Sequence, residues 1–330
     1  MAMDKTGMHR GPDEIPAAAA PRAADARRRA AIKSLAAFVA GVSLAPALTL
    51  RAATAPINER TIPSSGERLP PIGLGSWVTF NVGDDPQALD RCAEVVGAFL
   101  DSGGRLIDSS PMYGSSQATI GYALRKLGFP KTLFAADKVW TSSRAEGIAQ
   151  IAETTRRWGI ARFDLLQVHN LDNWQEHLAT LFAMKAAGTL RYVGATTSEG
   201  RRTAEMEQLL QAQKLDFVQV TYNILDRELE HRLLPMAQER GVGVICNRPF
   251  QRGALLAKFQ RHPLPDWAGE IDCASWPQFL LKFIISHPAV TCAIPATSNP
   301  AHARENVSAA LGRLPDEATR QRMIGYVQSL

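Results

Sequence analysis

Four polar residues in the first half of this 330-residue chain have the types and spacing for a single proton transfer. Asp108 opens the segment Asp108-Ser109-Ser110-Pro111-Met112-Tyr113-Gly114, Lys138 lies in Asp137-Lys138-Val139-Trp140, and His169 ends Leu165-Leu166-Gln167-Val168-His169. A tyrosine with its ordinary pKa of about 10 is a poor proton donor at neutral pH. An ammonium beside it stabilises the phenolate and lowers that value, and a carboxylate beside the ammonium keeps it charged and aimed. Taken singly, each residue has an ordinary structural role: Asp108 as a loop cap, Lys138 in a surface pair, Tyr113 packed at a rim, His169 as a satisfied core histidine. Their succession at the ends of apolar runs is what points to a site.

The elements that must position them alternate in type. Short apolar runs at Ile72–Ser76, 105–108, 133–138, 164–169, 191–195, 216–220, 242–246 and 291–294 read as strands. Between them, Leu89–Leu100, Ala145–Arg157, Gln175–Ala186 and Arg202–Gln213 carry apolar residues at helical spacing. Gly103-Gly104, Gly128, Gly159, Gly188 and Gly241 each precede a strand, where a helix stops and the chain turns back. Eight such β/α units predict an α/β fold of the TIM (β/α)8 barrel type, with the site at the carboxyl ends of the strands. A doubly wound sheet competes, but no GxGxxG follows the first strand. The last residues, from Pro315 to Leu330, read as a closing helix.

In order, DxxxxYG, then KVW, then a histidine after DLL, this pattern resembles the aldo-keto reductase family from about Leu69 to about Leu311. The resemblance implies reduction of an aldehyde or ketone, a small-molecule carbonyl, to an alcohol. Hydride would come from a reduced nicotinamide, the proton from Tyr113, and His169 would orient the carbonyl. It implies further that Thr196, Thr197 and Gln219 hold the carboxamide, and that Thr297, Ser298, Glu305 and Asn306 hold the adenosine end. Asn247 stands where many relatives stack a tyrosine on the nicotinamide, and Arg248 and Arg252 are placed to meet the pyrophosphate. Ala296 and His302 replace basic residues common in the family, so Arg304 must recognise a 2′-phosphate if NADP is used. NADP is the expected cofactor, with NAD its rival. Trp77 and Trp140 flank the expected mouth of the substrate pocket. Two other readings remain: a nicotinamide-binding barrel acting as a redox sensor or regulatory subunit, and a Schiff-base aldolase using Lys138.

Charge and composition place the rest. The net charge of +5 is concentrated in residues 1–55, with eight Lys/Arg and four Asp/Glu, leaving 29 basic and 28 acidic residues in 56–330. A near-neutral body argues against a nucleic-acid or membrane-surface patch, and a monomer or weak oligomer is expected. Cys92, Cys246, Cys273 and Cys292 have no CxxC or histidine spacing for a metal and read as packing residues. Residues 1–55 read as a leader before a barrel at 56–330. In it, Arg27-Arg28-Arg29-Ala30-Ala31-Ile32-Lys33 precedes an apolar run from Ser34 to Leu50, then Arg51-Ala52-Ala53-Thr54-Ala55. That layout resembles a twin-arginine export signal and predicts a periplasmic or exported protein, with a cytoplasmic one as the alternative.

Overall fold

The structure, a computed structural model, describes residues 56–330. The leader read from residues 1–55 lies outside the described residues. A hairpin of β1 (Arg60–Thr61) and β2 (Arg68–Leu69) precedes eight parallel strands. These are β3 (Leu74–Gly75), β4 (Leu106–Asp108), β5 (Phe134–Val139), β6 (Leu165–Val168), β7 (Tyr192–Thr196), β8 (Phe217–Thr221), β9 (Gly243–Asn247) and β10 (Val290–Ala293). Each pairs with the next in sequence, and backbone bonds from Gly73 to Ala293, Gly75 to Pro295 and Ala293 to Pro71 join the last strand to the first. The predicted barrel therefore closes. Its seam needs glycine: a Cβ on Gly75 would lie 2.7 Å from the Ile294 carbonyl oxygen.

Local sequence explains the helices. In α1 (Pro86–Asp101), Asp85 caps the amino end by accepting from the Gln87 and Ala88 amides, proline takes the first position, and Ala88, Cys92, Val95, Val96 and Phe99 form the buried stripe. Then follow α2 (Ser116–Lys126), α3 (Arg144–Trp158), α4 (Trp174–Ala186), α5 (Thr203–Ala212), α6 (Leu233–Glu239), α7 (Ala254–Phe259), α8 (Trp276–Ser286), α9 (Pro300–Ser308) and α10 (Glu317–Gln328). Ser143 caps α3 through the Glu146 amide, and Gly159 ends it at φ 70°, a conformation that costs a residue with a side chain. The expected closing helix is α10. No helix among the described residues is long and apolar enough to cross a membrane.

Period-two alternation sorts the strand residues. In β5, Ala135 and Val139 join the core beneath the helices, whereas Phe134 and Ala136 face the barrel interior. Asp137 and Lys138 thus point to opposite sides. The lower interior is apolar: Leu106, Phe134, Leu165, Tyr192 and Phe217 pack with Ile62 and Leu69 of the hairpin, which closes the amino-terminal end. There Ser65 Oγ lies 2.8 Å from the Tyr192 hydroxyl. Toward the carboxyl ends the interior turns polar, with Asp108, Lys138, Gln167 and Gln219 all buried.

Most predicted strands begin one residue too early. Asp164 and Asp216, read as first strand residues, instead turn their carboxylates onto the Ala135 and Val193 amides, each at 2.8 Å. They anchor neighbouring strands rather than extend their own.

Candidate active site

Three adjacent strands bring the four expected residues together. Asp108 ends β4, Lys138 lies one residue from the end of β5, His169 follows β6 in a short 3-10 turn (His169–Leu171), and Tyr113 sits between β4 and α2. The Lys138 ammonium donates to Asp108 Oδ2 at 2.5 Å and to the Ser109 carbonyl at 2.7 Å. Asp108 Oδ1 accepts from Gln219 Nε2 at 2.9 Å and from Gln167 Nε2 at 3.3 Å. A carboxylate with three side-chain donors is held in one orientation, and it holds the lysine in turn. Lys138 Nζ lies 5.3 Å from the centre of the Tyr113 ring, and the His169 ring meets that ring edge-on at 5.8 Å. His169 Nδ1 is 2.8 Å from Ser110 Oγ.

The electrostatics correct one sequence expectation. Burial of the Tyr113 hydroxyl raises its pKa above the ordinary value, and the charge of Lys138 opposes this shift without reversing it, with Asp108 and Asp137 adding to the rise. Desolvation wins because the phenol end is enclosed while the ammonium's charge is shared with a carboxylate. For Lys138 itself, burial works to lower the pKa, but Asp108 and Tyr113 more than offset it and hold the ammonium above its usual range. Burial, helped by the Lys138 charge, pushes His169 down to about 3, so its imidazole is neutral at physiological pH.

A cleft of 530 Å³ opens over this cluster. Asp108, Tyr113, His169, Thr196, Thr197, Gln219, Asn247, Arg248, Arg252 and Trp77 line it. Thr196 Oγ1 accepts from the Asn170 amide at 3.0 Å. Asn247 links β8, β9 and the residue after β7: it accepts from Thr221 Oγ1 at 2.6 Å and donates to the Thr197 carbonyl at 2.9 Å. Glu199 gathers Arg248 at 2.5 Å, Arg252 at 3.0 Å and Arg201 at 3.2 Å, and the Arg252 guanidinium lies 4.3 Å from the Trp77 ring centre. Trp140 does not line the cleft, contrary to expectation. Its side chain is turned outward, where the indole nitrogen donates to Asp172 at 2.8 Å.

Thr297, Ser298, Arg304, Glu305 and Asn306 also lie outside the cleft lining, beyond Ala296 on the loop into α9 and on that helix. Thr297 is buried and accepts from the Asn299 amide at 3.1 Å, whereas Ser298 and Arg304 are exposed. Asn306 is 5% exposed. Gln219 lines the cleft with Nε2 bound to Asp108, leaving Oε1 to accept from a ligand amide. An open acceptor below and arginines at the rim suit the amide and pyrophosphate of a nicotinamide nucleotide. Among the described residues no group of three or more His, Cys, Asp or Glu gathers to hold a metal.

Residue-by-residue reading missed Gln167, Ser110, Glu199 and Asp137. Gln167 was within reach, since it stands two positions before His169 on one strand and so shares its face. Asp137 faces the helices, where Gln117, Trp158 and the Lys138 amide donate to it at 3.1, 2.7 and 2.7 Å.

Comparison with known proteins places these features in a wider set. A sequence model described as Aldo/keto reductase family matches residues 71–321. The chain is 26% identical over 260 residues to methylglyoxal reductase YeaE of Escherichia coli (strain K12), covering 76% of this chain and 89% of that one. It is 26% identical over 313 residues to the NADH-specific methylglyoxal reductase of the same organism, covering 76% and 93%. Among solved structures, an aldo-keto reductase from Klebsiella pneumoniae in complex with NADPH superposes with a TM-score of 0.68 at 23% identity, covering 82% of this chain and 95% of that one. At that identity the likeness is one of fold.

Proposed function

This chain belongs to the aldo/keto reductase family, and from that premise we propose that Tyr113 delivers the proton in the reaction its cleft performs. The protein is an NAD(P)-dependent oxidoreductase that reduces aldehydes or ketones to alcohols. The observation that carries the residue assignment is the buried Asp108–Lys138 pair beneath Tyr113, with His169 at the ring's edge.

A reduced nicotinamide, when bound, supplies the hydride. His169, neutral, donates a hydrogen bond that places the carbonyl oxygen beside Tyr113. As charge grows on that oxygen it becomes far more basic than a phenolate, so Tyr113 O–H gives up its proton even with a raised pKa. The Lys138 ammonium then stabilises the phenolate left behind, and Asp108 keeps that ammonium in place. Gln219, Thr196 and Thr197 hold the carboxamide, Arg248 and Arg252 meet the pyrophosphate, and Thr297, Ser298, Glu305 and Asn306 take the adenosine end. NADP is the preferred cofactor, with Arg304 as the cation for its 2′-phosphate. Titration with each nucleotide tests this, and markedly tighter NADH binding overturns it.

The relatives' names make methylglyoxal, a small 2-oxoaldehyde, the first substrate to assay. Stoichiometric loss of NADPH with formation of the alcohol is the expected result; no turnover with it or a panel of aldehydes and ketones contradicts the reading. Residues 1–55 act as a twin-arginine-type export segment ahead of the barrel, and the mature protein is periplasmic and monomeric or weakly associated. The run Arg27-Arg28-Arg29 before the apolar stretch supports this, as do four free, buried cysteines compatible with folding before export. Cell fractionation decides it: a shortened periplasmic form is expected, and full-length protein confined to the cytoplasm contradicts it.

A further inference from the structure

We propose that Ser110 is a positioning residue that fixes which nitrogen of His169 carries the hydrogen, so that Nε2–H faces the substrate oxygen. The inference rests on the carbonyl-reduction reading and adds to it a residue that DxxxxYG leaves as an unspecified x.

Hydrogen supply and demand around Ser110 Oγ fix the tautomer. Ser110 Oγ is fully buried and has two neighbours within hydrogen-bond distance among the described residues: the Met112 amide, which donates to it at 3.2 Å, and His169 Nδ1 at 2.8 Å. A serine hydroxyl has one hydrogen to give and two lone pairs to receive with. The Met112 amide has only a hydrogen to offer, so the serine's own hydrogen has one acceptor in reach, a bare Nδ1. Were Nδ1 protonated, the oxygen would receive two donors while its own hydrogen sat buried without a partner. Leaving such a group unsatisfied is costly.

A neutral imidazole carries a single hydrogen, so a bare Nδ1 places it on Nε2. Nε2 has no protein partner among the described residues, and His169 lines the cleft. The two groups beside the carbonyl then have distinct duties. Tyr113 presents a hydrogen it can transfer, and His169 presents one it keeps. In the other tautomer Nε2 would turn a lone pair toward the carbonyl oxygen and repel the charge that builds there. Ser110 sits two residues after Asp108 in the loop that also delivers Tyr113, so one short segment sets both hydrogens.

The test is nitrogen NMR of the full chain labelled in its histidines, with His169→Asn used to assign the resonance. In the wild type, Nδ1 is expected to report an unprotonated, hydrogen-bonded nitrogen and Nε2 a protonated one. Ser110→Ala is expected to mix the two forms and lower kcat for the carbonyl by about tenfold, the loss of roughly one hydrogen bond, with the NADPH dissociation constant unchanged. Ser110→Thr, which keeps the hydroxyl, restores both the resonance and kcat. A protonated Nδ1 in the wild type, or a Ser110→Ala enzyme with unchanged resonance and kcat, overturns the proposal. Absence of any carbonyl turnover by the wild type would instead sink the reductase reading, while the resonance would still decide the tautomer.

Discussion

A lysine side chain at 0% exposure keeps its charge only because Asp108 lies 2.5 Å away and the Ser109 carbonyl takes a second of its hydrogens. Such a pair gains little over an apolar core, but breaking it leaves a lone charge in a medium that solvates it poorly. Lys138→Met should therefore cost about 3–5 kcal/mol of stability in urea unfolding. The double variant Asp108→Asn, Lys138→Met should recover much of that loss while remaining without carbonyl turnover. Equal instability of the single and double variants contradicts this account of the pair. That Asp108, Tyr113, Lys138 and His169 would lie together was legible from their types and order. The direction of the Tyr113 shift was not, because it depends on how completely the fold encloses the hydroxyl, and no spacing reports that.

At the scale of elements, the site exists because eight strands close into a ring that presents their carboxyl ends together. The seam between β3 and β10 depends on Gly75 approaching the Ile294 carbonyl. Gly75→Ala should lower stability by about 1–3 kcal/mol as the strands are pushed apart. Gly269→Ala, where an added Cβ meets nothing within 4 Å, should leave the melting temperature nearly unchanged. Matching melting temperatures for the two variants would show that the seam tolerates a side chain. Strand and helix order was readable because apolar alternation and turn glycines are local signals. Strand starts were not, since Asp164 and Asp216 serve neighbouring strands that a linear reading does not bring beside them. The same limit misplaced Trp140: its strand-end position was legible, but its partner Asp172 lies on another loop.

The whole molecule carries ionisable groups whose burial links folding to pH. Burial pushes His169 down to about 3 and His287 down to about 4, while Asp137 is pushed up to about 7. Both histidines have folded pKa values below their unfolded ones, so their contribution is present above about pH 6.5 and is lost as pH falls toward the folded values. Asp137 acts oppositely, since its carboxyl is protonated in the folded state and ionised in the unfolded state between about pH 4 and 7. Between about pH 4 and 6.5 the unfolded chain therefore binds two protons at the histidines against one at Asp137 in the folded protein. Stability should rise with pH across that window, by at most about 1 kcal/mol per pH unit, because His287 is partly exposed and the histidines are only partly titrated at the window's ends. Urea unfolding at a series of pH values measures this directly; a flat or falling trend contradicts it.

The claim on which the rest depends is that this barrel reduces a carbonyl with Tyr113 as its proton donor. Turnover of methylglyoxal by wild-type and Tyr113→Phe protein, with NADPH binding measured alongside, tests it most directly. The variant should lose turnover by about 10²–10⁴-fold and bind NADPH as the wild type does, because only the transferable hydrogen has been removed. A Tyr113→Phe protein that reduces the aldehyde at the wild-type rate would contradict the assignment.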